Sequence, residues 1–277
     1  MRNPKVFVIV LNYNGKAVLP ACLDSLYKLN YDNFEVVVVD NNSSDSSFEE
    51  ARKRFCKFHF IKNNRNIGFS AGNNVAIRWA LEKMADYIFL LNNDALVEKN
   101  ALKKMIKIAE KNKEEGILSP TIYKGQTKEI WFAGGKINWL KMRTEHNNFN
   151  QNPEYITGCA MLIKKDVFKK IGILDEDYFL YYEDADFSWR ARKAGFELKV
   201  ILEASVFHFE KSSENSNKIY WLVYSGLLFF KKNTPWFWRP WIIFYIFLRK
   251  INNKRNLKNN KKYAIDIKKA FEDIKKI

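Results

Sequence analysis

Residues 5–15 read KVFVIVLNYNG and residues 34–43 read FEVVVVDNNS, and these two stretches decide the fold. Each begins with an almost uninterrupted apolar run, mostly of β-branched residues, and then changes abruptly to asparagine or aspartate. Such runs are typical of strands that are buried on both faces of a parallel sheet. We predict four strands in the first half of the chain, at residues 5–11, 34–39, 57–61 and 87–91. A helical pattern precedes the fourth strand, so we expect a βαβα series and a mainly parallel sheet flanked by helices.

Polar residues follow each predicted strand at its carboxyl end. Asn12 and Asn14 come after the first strand, Asp40 after the second, Asn66 after the third and Asp94 after the fourth. Open α/β sheets bind their ligands in the crevice beyond the carboxyl ends of the strands. The four polar clusters therefore predict one ligand-binding crevice in preference to four unrelated loops.

The composition limits the class of protein. The chain has 277 residues, of which 47% are hydrophobic, and this excludes disorder of the whole chain. Three cysteines without a CxxC pair indicate neither a disulfide framework nor a thiolate zinc site. No apolar run reaches the roughly 18 residues of a membrane span, and the N-terminal run lacks a signal-peptide cleavage site. The net charge of +16 predicts an anionic partner, which is nucleic acid, a phospholipid surface or a phosphorylated ligand.

The second half of the chain has a mixed pattern. From about residue 116 the sequence alternates short strands with irregular segments. Strands are predicted at 155–163, 196–201 and 204–209. An acidic and aromatic block at 175–182 leads into a helix that begins at Glu183 and ends near Gly195.

Three candidate ligand residues each have a structural alternative. Asp40 is placed to accept hydrogen bonds from a base or a ribose, or to form an Asx turn with residues 41–43. Asp94 offers hard oxygen ligands for a magnesium or manganese ion between two phosphates, or caps a helix that begins near Val97. His208 ends a predicted strand, where it is a metal ligand or a structural histidine. Spacing alone leaves these alternatives open.

The predicted helix at Glu183 opens with three carboxylates. A helix N-terminus favours the ionised carboxylate, which is the form that a general base requires, although acidic residues are common there without catalysis. Asp186 precedes Arg190 by four residues and is expected to pair with it across one helical turn. Asp184 is therefore the preferred candidate for the base.

A series of motifs resembles the family-two glycosyltransferases of the rhamnosyltransferase-like branch. The motifs are VIVLNYNG, VVVVDNNSSD, NRNIGFSAGNN, LLNNDA, TGCAMLIKK and FLYYEDADFSWRARKAG, followed by His208. Their order and spacing match over roughly residues 5 to 210, which is more specific than any single motif. One departure is Asn92, which stands where well-studied members carry an acidic residue two positions before the metal-binding aspartate.

The resemblance implies a GT-A fold and inverting transfer of a sugar without a covalent intermediate. It implies that Asp184 is the general base, and that Asp94 and His208 hold a divalent metal, magnesium or manganese. Nucleotide contacts are implied for Asn12, Asn14, Asp40, Asn66 and Asn73. The expected domains are a catalytic domain at 1–212, with a nucleotide-binding half at 1–115 and an acceptor-binding half at 116–212, and a C-terminal aromatic and basic helical region at 213–277.

The predicted activity is transfer of a sugar from a nucleotide-diphosphate donor to a hydroxyl group of a glycan or lipid-linked acceptor, with rhamnosyl transfer in cell-surface polysaccharide synthesis as one form. A sugar nucleotidyltransferase is the first alternative, but the NYNG sequence at 12–15 is not the glycine-rich phosphate loop of that class. A non-catalytic nucleic-acid-binding protein is the second, and it leaves the polar strand ends unexplained. We expect no nucleic-acid partner.

Aromatic residues dominate the C-terminal third. Residues 219–230 and 236–248 are aromatic-rich stretches, and a basic tail follows them. Aromatic rings beside lysines and arginines suit the interface of an anionic membrane. A buried helix and a dimer interface are the alternatives. We expect a cytoplasmic protein that is peripheral at the inner face of the cell membrane.

Overall fold

The computed structural model describes residues 3–147, 149, 152–209 and 218–276. The predicted boundary between residues 212 and 213 lies outside these ranges. The strands β1 to β11 are Val6–Asn12, Phe34–Asp40, His59–Lys62, Tyr87–Asn92, Ala95–Val97, Glu115–Lys124, Ile130–Phe132, Gly135–Asn138, Arg143–His146, Ala160–Lys164 and Glu197–His208. The helices α1 to α9 are Leu19–Tyr27, Ser47–Arg54, Gly68–Glu82, Ala101–Ala109, Lys165–Ile171, Glu183–Lys193, Lys218–Asn233, Arg239–Lys258 and Tyr263–Asp273.

Parallel strands form the first half of one large sheet. The strand order is β3-β2-β1-β4-β10-β6-β11-β5, and β7 pairs with β6. Strand β1 pairs in parallel with β2 and β4, and β2 pairs in parallel with β3. The apolar residues of β1 and β4 are buried along almost their whole length, as strands covered on both faces require. All four predicted strands are present. The register places Asn12 beside Asp40 and Leu11 beside Asn92, at the carboxyl ends of β1, β2 and β4.

The second half of the sheet is mixed. Strand β10 lies antiparallel between β4 and β6, and β11 pairs in parallel with β6 and antiparallel with β5. The strand predicted at 155–163 begins only at Ala160, because Tyr155 pairs with Gly135 of the separate β8–β9 hairpin. The two strands predicted at 196–201 and 204–209 are one strand, β11, with an irregularity between Ile201 and Ser205.

Two helix boundaries bear on the site. The helix expected near Val97 begins at Ala101, because Ala95–Val97 pair with β11 as strand β5. Asp94 therefore caps no helix. Helix α6 begins at Glu183 as predicted, and Gly195 after its end has a φ of +91°, the left-handed backbone that glycine tolerates best.

Helix α7 is part of the hydrophobic core. Leu228, Phe229 and Phe230 are fully buried, and the Ser225 hydroxyl donates a hydrogen bond of 2.7 Å to the carbonyl of Leu180. Helix α8 has only Ile242 and Asn253 buried, and α9 packs beside α7 and α8. Among the described residues, no helix combines the length and the apolar character needed to cross a membrane.

Candidate active site

A cavity of about 890 Å³ lies at the carboxyl ends of β1 and β4. Four of the predicted site residues line it, and they come from distant parts of the chain: Asn66, Asp94, Asp184 and His208. A volume of this size is in the range of small-molecule and cofactor sites. The crevice expected from the polar strand ends is present, and its walls come from both halves of the sheet.

Asp94 and His208 lie against each other inside the cavity. Asp94 follows β4, and His208 is the last residue of β11, which pairs through His208 with Ala95. The Phe209 amide donates to the Asp94 carbonyl at 2.9 Å and fixes the two chain segments side by side. As a result Nε2 of His208 lies 3.1 Å from Oδ1 of Asp94. Burial disfavours the charged imidazolium, but the neighbouring Cys159 and Asp94 outweigh it and raise the pKa of His208 to about 10. A metal ion would bind the neutral imidazole, so its binding would displace this proton.

The Asp94 and His208 pair fits a divalent metal ion. Two ligands about 2.1 Å from a metal and at a right angle to each other are about 3 Å apart, close to the observed separation of Oδ1 and Nε2. Oδ1 of Asp94 is buried and, although Nε2 of His208 lies 3.1 Å away, it forms no hydrogen bond with the described residues. The described residues contain no cluster of three or more such ligands. Phosphate and water oxygens would therefore complete the coordination.

Asp184 faces the cavity from the first turn of α6. Its Oδ2 accepts a hydrogen bond of 2.9 Å from the backbone N–H of Gly158. Burial raises the pKa of Asp184, although hydrogen bonds from Gly158 and Ala185 oppose the rise. Burial and the negative charge of Asp184 also raise the pKa of Glu183 well above its ordinary value. The site thus holds two adjacent carboxylates that release their protons less readily than in water.

Two consecutive tyrosines determine where α6 begins. Tyr181 and Tyr182 have φ values of +69° and +66°, in the left-handed region that large side chains rarely adopt. This turn brings Asp184 to the cavity and packs the Tyr182 ring against Phe229 of α7, with ring centroids 5.7 Å apart. Strained backbone of this kind persists where surrounding packing holds it, and it is common at functional sites.

Asp186, the neighbouring candidate, is structural. Its Oδ2 accepts a hydrogen bond of 2.7 Å from Nε of Arg190, which confirms the predicted pair. Its Oδ1 accepts a hydrogen bond of 2.8 Å from Nδ2 of Asn233 in α7. The side chain is 3% exposed and does not line the cavity. Asp184 lines the cavity and Asp186 does not, and the role of Asp184 as the base stays a prediction.

The residues after β1 and β2 form a buried polar network. Asp40 is fully buried, and its carboxylate accepts hydrogen bonds from the Asn12 amide at 2.8 Å and from the Ser43 backbone N–H at 2.8 Å. The bond to Ser43 is the Asx turn that was the alternative for this residue. Asn14 lies at the exposed rim and accepts a hydrogen bond of 2.9 Å from the Ser44 backbone N–H. Asn12, Asn14 and Asp40 do not line the cavity, and their contact with a nucleotide stays a prediction.

Asn41 is a lining residue that the sequence did not single out. Its amide donates to the Gly68 carbonyl at 2.9 Å, and its oxygen accepts from the Asn63 amide at 2.8 Å. Asn66 lies beside it, with Oδ1 3.3 Å from the Asn41 amide nitrogen. Asn73 is buried in α3, bonded to the Phe69 carbonyl, and outside the cavity lining. The asparagines that face the cavity are thus held by loop contacts.

Aromatic residues form the opposite wall. Trp131 and His208 have ring centroids 4.5 Å apart, and Phe179 stacks on Trp221 of α7 at the same distance. Strand β9 adds Thr144 and His146 to the lining. Sequence reasoning missed this wall, because no periodicity or motif links residues from β7, β9 and α7. Trp221 and Phe179 carried a signal, Trp221 in the first aromatic stretch and Phe179 in the acidic and aromatic block at 175–182.

Comparison with known proteins identifies relatives of the whole arrangement. A family model described as glycosyl transferase family 2 matches residues 7–172, more than half of the chain. A low-salt glycan biosynthesis hexosyltransferase of Haloferax volcanii is 29% identical over 200 residues, 67% of this chain and 61% of that protein. A dTDP-rhamnosyl transferase of Shigella flexneri is 24% identical over 74% of this chain and 69% of its own. An N-acetylglucosaminyl-diphospho-decaprenol L-rhamnosyltransferase of Mycobacterium tuberculosis is 23% identical over 74% of this chain and 76% of its own.

Solved structures show the same fold. GalNAc-T7 with UDP, GalNAc and Mn²⁺ superposes with a TM-score of 0.67 at 16% identity, over 80% of this chain and 47% of that one. The mannosyltransferase of Pyrobaculum calidifontis with GDP-Man and Mn²⁺ superposes with a TM-score of 0.64 at 16% identity, over 84% of this chain and 66% of that one. The chain therefore spans about three fifths of the Haloferax relative and less than half of GalNAc-T7. The expected GT-A fold is confirmed.

Proposed function

The chain belongs to glycosyltransferase family 2, and from this membership we propose that it transfers a sugar from a nucleotide-diphosphate donor to an acceptor hydroxyl with inversion at the anomeric carbon. The observation that carries the proposal is the meeting of Asp94, His208 and Asp184 in one cavity at the carboxyl ends of the strands. Asp94 and His208 offer ligands for a metal, and Asp184 offers a carboxylate that can accept a proton. A base for the acceptor hydroxyl and a cation for the leaving diphosphate both lower the barrier of such a transfer.

Asp184 is the proposed general base. Its carboxylate removes the proton from the acceptor hydroxyl as that oxygen bonds to the anomeric carbon. The bond from this carbon to the diphosphate oxygen breaks, and the nucleoside diphosphate leaves with the bonding electrons. A carboxylate with a raised pKa is a stronger base than one in water, provided that it is ionised at the working pH. The Gly158 N–H orients the side chain for this task.

Asp94 and His208 would hold a divalent metal, magnesium or manganese. Such an ion neutralises the charge that develops on the leaving diphosphate. The proposal is supported by the fit of the two side chains to a metal. Mn²⁺ also accompanies the donor or its nucleotide in both superposed structures. Asp40 and the asparagines at the strand ends are proposed to shape the nucleotide side of the cavity, in the half at residues 1–115.

The acceptor is proposed to enter through residues 116–212, which supply Trp131, Phe179 and Asp184 to the cavity lining. A glycan or lipid-linked acceptor agrees with the name of the mycobacterial relative. A rhamnosyl donor agrees with the names of the mycobacterial and Shigella relatives. Cell-surface polysaccharide synthesis at the inner face of the cell membrane is the setting that this acceptor implies. The C-terminal region at 213–277 is proposed to complete the acceptor side, since Trp221 and Leu222 line the cavity.

A donor screen tests the proposal. Sugars carried by UDP, GDP and dTDP are offered with Mn²⁺ and a glycan acceptor, and release of the nucleoside diphosphate is measured. We expect one donor class to react, and Asp184→Asn to lower kcat about 10²- to 10⁴-fold because the base is lost. Donor affinity, measured by calorimetry, should change less than about threefold, since Asp184 serves the acceptor.

Asp177→Asn is the matched control, because Asp177 is half-exposed, pairs with Lys232 and lies outside the cavity lining. It should leave kcat unchanged. Full activity of the Asp184→Asn variant would remove the base from the mechanism. Release of pyrophosphate by the wild type would identify a nucleotidyltransferase instead.

A further inference from the structure

We propose that helix α8 docks on an anionic lipid bilayer through one defined stripe of its surface, and that this contact holds the cavity next to the membrane. The bilayer contact is independent of the reaction. The placement of the cavity deepens the proposed function and rests on it.

The stripe is apolar although it faces outward. Its members are spaced i, i+3, i+4, i+7 and i+8, so they lie on one side of the helix: Pro240, Ile243, Phe244, Phe247 and Leu248. Ile243 is 71% exposed and Phe247 is 57% exposed. Trp236 and Phe237, in the 3₁₀ turn just before α8, are 79% and 61% exposed.

The inner side of α8 is also apolar. Ile242 is buried, and Trp241, Tyr245 and Ile246 pack against the core. The first half of the helix is therefore apolar on both its inner and its outer side. A helix of this kind is normally covered on both sides, by protein or by lipid. The outer stripe thus indicates a second, apolar surface that covers it.

The charge around the stripe favours an anionic lipid bilayer over a second copy of this chain as the covering surface. Farther along α8, Lys254, Arg255 and Lys258 are exposed. Residues 231–277 contain fourteen lysines and arginines against three aspartates and glutamates. Two copies of this segment would bring like charges together. An anionic headgroup layer attracts the cations while its acyl region accepts the rings.

The inner side of α8 contacts the hairpin that lines the cavity. Nε1 of Trp241 donates a hydrogen bond of 3.0 Å to the carbonyl of Leu140, at the tip of the β8–β9 hairpin. Leu140 is itself 52% exposed, and strand β9 of the same hairpin places Thr144 and His146 in the cavity wall. A bilayer that covers α8 would therefore lie beside the acceptor wall, where a lipid-linked substrate can reach the cavity without leaving the membrane.

Vesicle flotation of the full chain tests the docking. The probes are vesicles of phosphatidylcholine alone and vesicles with about 30% phosphatidylglycerol. We expect wild type to bind the anionic vesicles, and Ile243→Ser with Phe247→Ser to weaken binding about 100-fold or more, because two large apolar side chains no longer enter the lipid. Replacing Lys254, Arg255 and Lys258 by Gln should weaken binding to anionic vesicles about fivefold per charge and make it less dependent on salt.

The matched control is Met84→Ser with Tyr27→Ser, because these side chains are 76% and 56% exposed and lie outside the C-terminal region. The control should bind like wild type, and circular dichroism should show that every variant is folded. Equal binding of the stripe variant and wild type would overturn the proposal. The proposal would also be overturned if the wild type did not bind vesicles and instead formed dimers that the stripe substitutions dissociate. Calorimetric donor binding, measured separately without lipid, shows whether the transferase proposal stands in either case.

Discussion

Asp184 and Asp186, both in the first turn of α6, should respond differently to the same substitution. Asp186→Asn removes the charge that Arg190 faces inside the protein, at 2.7 Å and with the Asp186 side chain 3% exposed. Breaking a buried ion pair costs about 3–5 kcal/mol. Arg190 is 27% exposed and keeps its bonds to the carbonyls of Ile171 and Ile173, so we expect the lower end, about 3 kcal/mol.

Asp184→Asn should leave stability almost unchanged. The Asn oxygen can still accept the bond from the Gly158 N–H, and the substitution removes a carboxylate whose ionised form burial disfavours. Loss of one hydrogen-bond acceptor costs about 1 kcal/mol and relief of the buried charge offsets it. Transfer activity, in contrast, should fall with this variant and persist in folded Asp186→Asn.

Thermal melts and single-turnover assays separate the two residues. A loss of about 3 kcal/mol should lower the Tm of Asp186→Asn by roughly 6–12 °C for a chain of this size, against less than about 3 °C for Asp184→Asn. Asp177→Asn serves as the surface control. An Asp186→Asn protein with normal Tm and no transfer, beside an active Asp184→Asn protein, would refute the assignment of roles.

Three further predictions follow from single contacts. The pKa values of Glu183 and Asp184 are raised, so the folded state binds more protons than the unfolded state. The free energy of unfolding should therefore fall as the pH rises above the ordinary carboxyl range of about 4. Urea titrations at several pH values should show a weaker dependence for Glu183→Gln. Gly135→Ala would set a Cβ 2.1 Å from the Tyr155 ring, so we expect a loss of about 1–3 kcal/mol in denaturant unfolding. Asn92→Asp adds a carboxylate to the lining beside Asp94 and should tighten Mn²⁺ binding about tenfold in a metal titration, whereas unchanged affinity would argue against a metal at Asp94.

The parallel half of the sheet was predictable because its signal is local. A strand buried on both faces must be apolar along its length, and the parallel register then brings its polar end beside those of its neighbours. Family membership was also predictable, because the order of several motifs carries it. The antiparallel strand β10 was mispredicted at its start, since the bridge of Tyr155 to Gly135 is a contact between distant residues.

The aromatic wall lies beyond sequence reasoning for a related reason. Trp131, His146 and Trp221 come from three elements that share no periodicity, and only the packed structure brings them to one cavity. The left-handed backbone of Tyr181 and Tyr182 is equally unpredictable, because tyrosine has no preference for that region and the surrounding packing imposes it.

The buried network after β1 and β2 explains why asparagine dominates the strand ends. Asparagine both donates and accepts hydrogen bonds without a charge, so Asn12 can be buried beside Asp40 and satisfy its carboxylate. Asn14 and Asn42 adopt φ values of +51° and +64°, which asparagine tolerates better than most residues. These are requirements of rigid loops at a crevice, and Asn12, Asn14 and Asp40 lie outside the cavity lining itself. A polar strand end in the sequence therefore locates the crevice reliably, while the side chains that line it, such as Asn41, are neighbours of the residues that carry the signal.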